Sequence, residues 1–147
     1  MLRNYQVFIF LSVVSFGFGL IVGGTTQFTS IAEAQTSDRV FELRTYTTHP
    51  GRLGELHSRF ADHTVTLFER HGMTNMGYFQ PTNSPLADNT LIYLLMHDSQ
   101  EAAEASWAAF RADPEWLSAA EESRRDGRLV QNVDSVFLEP TYYSMMN

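Results

Sequence analysis

From residue 40 onward the hydrophobic and polar positions follow two distinct periods, and each change of period marks an element. Residues 40–48 (VFELRTYTT) alternate strictly, with Phe41, Leu43 and Thr45 on one face and Glu42, Arg44 and Tyr46 on the other, which predicts a strand. His49-Pro50-Gly51 is a turn. Over residues 52–71 the period lengthens. At 100° per residue Leu53, Leu56, Phe60, Thr64, Leu67, Phe68 and His71 fall within about 60° of one line, which predicts one continuous helix. Glu55 and Arg59 form an i,i+4 pair in the favourable order, and Gly72 is a natural C-terminal stop. Residues 73–81 read as a second strand, 82–89 as a turn region with Asn83, Pro85 and Asp88, and 90–97 (TLIYLLMH) as a third strand, apolar on both faces. Asp98, with Glu101 three positions on, reads as the cap of a helix over residues 99–112 that buries Ala103, Trp107 and Phe110. Asp113-Pro114 restarts it as a second short helix to about Arg125, Asp126-Gly127 ends that helix, and residues 129–143 form a long last strand.

The order β-α-β-β-α-β is that of an α+β, ferredoxin-like two-layer sandwich, with both helical segments on one face of an antiparallel sheet. A third strand apolar on both sides would leave a water-facing apolar patch of the kind monomers avoid. The cheapest cover is the same face of a second copy, so the pattern predicts a homodimer through the open sheet face.

Ahead of this domain, Arg3 and the amino terminus precede an almost uninterrupted apolar run over residues 7–24, then a polar stretch ending in Ala32-Glu33-Ala34. These are the parts of a signal peptide, with cleavage before Gln35. The expected organisation is a signal peptide at 1–34, a polar lead-in at 35–39, the domain at 40–143 and a tail at 144–147. That makes the protein exported, periplasmic or secreted, with membrane contact only during export. An uncleaved N-terminal anchor is the competing reading, since about 18 apolar residues can span a bilayer. Four glycines in the run and the Ala-x-Ala site favour cleavage.

At 44% hydrophobic and 13% aromatic, the chain has enough apolar side chain for a core. Its ten basic residues are all Arg, against 17 acids, for a net charge of −7. The only close basic group is Arg124, Arg125 and Arg128, so a phosphate-tracking stripe is missing and nucleic-acid binding is disfavoured. The absence of Cys removes thiol nucleophiles, Cys-based metal sites and disulfides together.

With these segments placed, the chain resembles the NIPSNAP family of the dimeric α+β-barrel superfamily. The resemblance is carried by Glu42-Leu43-Arg44-Thr45-Tyr46 before a Pro-Gly turn, Phe68-Glu69-Arg70-His71-Gly72-Met73, Gly77-Tyr78-Phe79 and Asp113-Pro114-Glu115-Trp116, in order over residues 39–143. It implies the fold derived above, pairing through facing sheets and a pocket between sheet and helices. The superfamily includes cofactor-free monooxygenases, cyclases, isomerases and haem-degrading enzymes, among which fold does not choose.

Among individual residues, His71 is the catalytic candidate. It ends the apolar stripe, should point under the sheet, and has the side chain whose ordinary pKa suits a general base. The competing role is structural, at a helix C-terminus. Arg44, Tyr46, Tyr78, Tyr93, Trp107 and Trp116 are candidate ligand-binding residues, suited to a small hydrophobic or aromatic molecule. An inward Arg44 needs a carboxylate. Glu42 is too close along the strand to be its only partner, which calls for an acid from another strand or an anionic ligand. The five His show no i,i+3 or i,i+4 pair, so no metal site is expected. No cofactor is expected either, haem being an alternative with His71 as its axial candidate. A non-catalytic scaffold with a full interior is the reading from a different class. Phosphate-loop, G-x-S-x-G and H-E-x-x-H motifs are absent.

Overall fold

The structure, a computed structural model, describes residues 38–83 and 85–146. The expected signal peptide, its cleavage site and the alternative anchor lie outside the described residues. Strand β1 (Val40–Thr48) leads into a helical segment made of α1 (Leu53–Arg59), a π-helical turn (Phe60–Thr64) and α2 (Val65–Arg70). Strands β2 (Thr74–Phe79) and β3 (Thr90–His97) follow, then helices α3 (Gln100–Ala112) and α4 (Pro114–Glu122) and strand β4 (Val130–Leu138). The sheet order is β2-β3-β1-β4 with every neighbouring pair antiparallel. This is the ferredoxin-like α+β sandwich that the order of elements predicts. Among the described residues no helix is long and apolar enough to cross a membrane.

The alternation in β1 sets the layers. Arg44 lies opposite Tyr93 on one side and Ser135 on the other, so Glu42, Arg44 and Tyr46 share the helix-facing side with Leu91, Tyr93, Leu95 and His97. Leu53, Leu56, Phe60, Leu67, Phe68, Trp107 and Phe110 descend onto that face from the helices. The core between them is largely aromatic. Phe68 meets Phe110 and Trp107 at 4.9 and 5.2 Å between ring centroids, and Phe60 meets Tyr46, Tyr78 and Tyr93. Each such side chain contributes about 1.5–3 kcal/mol when fully buried. Ile92, Leu94 and Met96, on the other side of β3, are only half-buried, and Val136 and Leu138 of β4 are exposed.

Several local expectations are corrected. The first helix is not uniform: Val65 N–H reaches back five residues to Phe60 O, and Thr64 Oγ1 donates to Arg59 O at 3.1 Å. One wide turn shifts the phase of the helix within the width of its apolar stripe, so periodicity does not reveal it. Glu55 pairs with Arg52 at 2.6 Å instead of Arg59, because Arg59 is turned inward. The cap of α3 is Ser99, whose Oγ accepts from Ala102 N–H at 3.1 Å, rather than Asp98. Helix α4 ends at Glu122, short of Arg125, and β4 stops at Leu138, two residues before Pro140. Gly72 does end the helix, at φ 78°, and Asp113 does cap α4 ahead of Pro114.

Candidate functional site

Helix α4 leans over the β1–β4 side of the sheet and leaves a cavity of about 260 Å³, partly open to solvent. Tyr46 of β1 forms part of its wall, with Trp116, Leu117 and Ala120 of α4 and Leu129, Val130 and Val133 at the start of the last strand. Arg59, Arg124 and Arg128 supply its polar lining. Local chemistry places all three. Arg59 sits in the last turn of α1, its guanidinium 5.1 Å from the Trp116 ring centroid, with NH1 donating to Ser123 Oγ at 3.3 Å. Arg124 is held by Nε donating to Ala120 O at 2.7 Å. The turn before Arg128 is pinned by Arg52, which donates to Asp126 O at 2.6 Å, and Gly127 there adopts φ 106°. Arg59 is only 8% exposed. Burial holds its pKa below the usual arginine range, the Arg124 charge pushes the same way, and Tyr46 and Tyr93 oppose both.

A second constellation lies further along the same sheet face. Glu42, 2% exposed, accepts four hydrogen bonds. Trp107 Nε1 and His97 Nε2 donate to Oε2 at 2.6 and 3.1 Å, and Arg44 NH1 and Ser135 Oγ donate to Oε1, both at 2.6 Å. Burial alone would raise the carboxyl pKa; the bonds from His97, Ser135, Trp107 and Arg44 overcome it and hold the value at about 2. The Arg44 guanidinium also lies 4.2 Å from the Trp107 ring centroid. A carboxylate with four donors, enclosed and ionised, is suited to holding β1, β3, β4 and α3 together rather than to exchanging protons.

The NIPSNAP family profile matches residues 41–145. The chain belongs to the NIPSNAP family. Solved structures agree at the level of fold. A NIPSNAP family protein of unknown function from Agrobacterium tumefaciens is 22% identical with a TM-score of 0.66, over 76% of this chain and 96% of that one. An uncharacterised NIPSNAP-like domain protein from Burkholderia xenovorans is 21% identical with a TM-score of 0.64, over 74% and 90%. A variant of SnoaB, a cofactor-independent oxygenase from Streptomyces nogalater, is 19% identical with a TM-score of 0.51, over 73% and 99%. A search of curated proteins gave no match.

In this NIPSNAP domain the residues singled out from sequence fall into separate places. Tyr46 and Trp116 line the cavity. Arg44 and Trp107 belong to the Glu42 cluster, and the carboxylate that pairs with Arg44 is Glu42 itself, from the same strand. The expectation of an acid from another strand fails because Glu42 and Arg44 point to one side of β1, and the Trp107 ring holds the guanidinium back toward its neighbour. Tyr93 is fully buried and stacked on Tyr78 at 5.5 Å. Its hydroxyl approaches Tyr46 without a well-formed hydrogen bond. Tyr78 donates to Asn75 Oδ1, and burial, with Glu69 nearby, raises its pKa. Arg59, Arg124 and Arg128 were not among the candidates. The sequence signal for two of them was their closeness in an otherwise scattered set of arginines.

His71 stands apart from both constellations. Its Nε2 bonds Asp113 Oδ2 at 2.8 Å, while Asp113 Oδ1 accepts from Glu115 N–H at 2.8 Å, so one carboxylate ties the end of α2 to the start of α4. The His71 bond, the Glu115 and Trp116 amides and Arg70 all hold the Asp113 pKa below the usual range. The nitrogen that a haem iron would need is thus engaged. Among the described residues no group of three or more His, Cys, Asp or Glu is arranged to hold a metal ion. Asp113→Ala is expected to lower the melting temperature by a few degrees at pH 7. The difference from the parent should shrink as pH falls through the carboxylate range, because a depressed pKa stabilises only above it. Calorimetry at pH 7 and pH 3 checks this; an unchanged difference would remove Asp113 from the role.

Proposed function

We propose that this NIPSNAP protein is a binding protein for a small apolar or aromatic molecule, seated between the sheet and α4. The observation that carries the reading is the cavity of about 260 Å³ with Tyr46, Trp116, Leu117 and Val133 in its walls. This lies just under the ~300–1,000 Å³ typical of sites for drug-sized ligands, which suits an occupant of one or two rings. Aromatic walls with a few polar groups are the usual composition of such sites. The polar groups of the cavity, guanidiniums and a tyrosine hydroxyl, do not exchange protons readily near neutrality, which favours binding over proton-transfer chemistry at this place.

The same reading keeps the protein exported and dimeric. The apolar run and Ala32-Glu33-Ala34 support the first, and the half-buried Ile92, Leu94 and Met96 on the open face support the second. Titration with 2-naphthoate, followed by amide chemical shifts, tests the binding site. Shifts are expected to centre on Tyr46, Trp116, Ala120 and Val133. Shifts centred elsewhere, or none at millimolar probe, would remove the cavity from consideration. Native mass spectrometry of protein purified from its own host should show chains beginning at Gln35.

A further inference from the structure

Two sets stand out among the arginines of the domain. Arg44, Arg52, Arg70 and Arg125 each pair with an acid. Arg59, Arg124 and Arg128, the three that line the cavity, have no carboxylate within ion-pair distance among the described residues. That concentration runs against the chain's net charge of −7.

Arg59 is the most telling member. Charged side chains are almost never buried to this degree unless paired. Its guanidinium has five donors, yet among the described residues it meets Ser123 Oγ and the face of Trp116, and its buried Nε has no hydrogen-bond partner there. The carbonyls ending α4 offset part of the charge through the helix dipole. Arg124 uses one of them and crowds the same space with a second positive charge. Two further positive charges gathered beside the buried Arg59 guanidinium are unfavourable for the empty protein and favourable for an occupant of opposite sign.

Resting on the binding function above, we propose that the ligand is an aromatic or apolar carboxylate. Its carboxylate sits against Arg59, with Arg124 and Arg128 beside it, and its body lies on Tyr46, Trp116 and Val133. Arginine suits this role because its planar fork matches a carboxylate with two parallel hydrogen bonds.

Calorimetric titration of the full chain with 2-naphthoate and with 2-naphthylmethanol, its neutral partner in shape, tests the proposal. The carboxylate is expected to bind at least tenfold more tightly than the alcohol, and to weaken with added salt while the alcohol does not. Inorganic phosphate, an anion without an apolar body, should bind at least tenfold more weakly than naphthoate. Arg59→Met should erase the preference for the acid over the alcohol. The exposed Arg128→Gln, which does not threaten the core, should reduce naphthoate binding several-fold. Equal affinity for acid and alcohol would overturn the anion assignment while leaving an apolar binding site. Failure of both probes at millimolar concentration would overturn the binding function as well.

Discussion

Replacing Glu42 by Gln is expected to cost this domain about 3–5 kcal/mol at pH 7, the range found when one member of a buried ion pair is removed. That is a large share of the ~5–15 kcal/mol that holds an ordinary domain folded. The carboxylate anchors Arg44 and Ser135 through one oxygen and His97 and Trp107 through the other. Gln keeps the shape but removes the charge opposite Arg44 and turns an amide N–H₂ toward two of the donors. The pH dependence gives an independent check. With its folded pKa at about 2 against an ordinary 4.5, Glu42 contributes about 3 kcal/mol that is fully present above the ordinary value and lost as pH falls toward 2. Urea unfolding of parent and variant should therefore differ most at pH 7 and converge only at about pH 2 and below. A difference that stays constant across this range, or is absent at pH 7, would show that the cluster does not hold the sheet to α3.

The second large effect is expected on the opposite face of the sheet. Leu94→Asp should convert the dimer proposed through that face into a folded monomer. Leu94 lies at the middle of β3, opposite Leu43 of β1 and Gly77 of β2, where a facing copy would bury it. An unpaired carboxylate there costs several kcal/mol, so the dissociation constant should rise by at least two orders of magnitude. Sedimentation measures the mass, and circular dichroism checks that the monomer is folded. The cavity lies on the helix-facing side, so naphthoate binding should survive. A parent protein that sediments as a monomer at high micromolar concentration, or a variant that remains dimeric, would end the facing-sheet arrangement.

Features set by near neighbours along the chain are legible in the sequence itself. The two faces of β1, the stop at Gly72 and the Asp113-Pro114 restart are consequences of backbone geometry within a few residues, and all are present. So is the order of elements that defines the ferredoxin-like sandwich. Tertiary structure decided where the charges went. Arg59 reads in sequence as a surface partner for Glu55, four residues earlier. Only the closure of α4 over the sheet turns it into a desolvated cation beside Trp116. Glu42 meets His97, Trp107 and Ser135 across 55, 65 and 93 residues of chain, separations at which no local period carries information. Side-chain alternation and helical stripes depend on torsions shared by adjacent residues. The partner of a buried charge depends on which distant side chain the folded layers bring within about 3 Å. The sequence alone therefore determined this protein's fold and family. The arginine-lined cavity, and with it the character of the proposed ligand, came from packing.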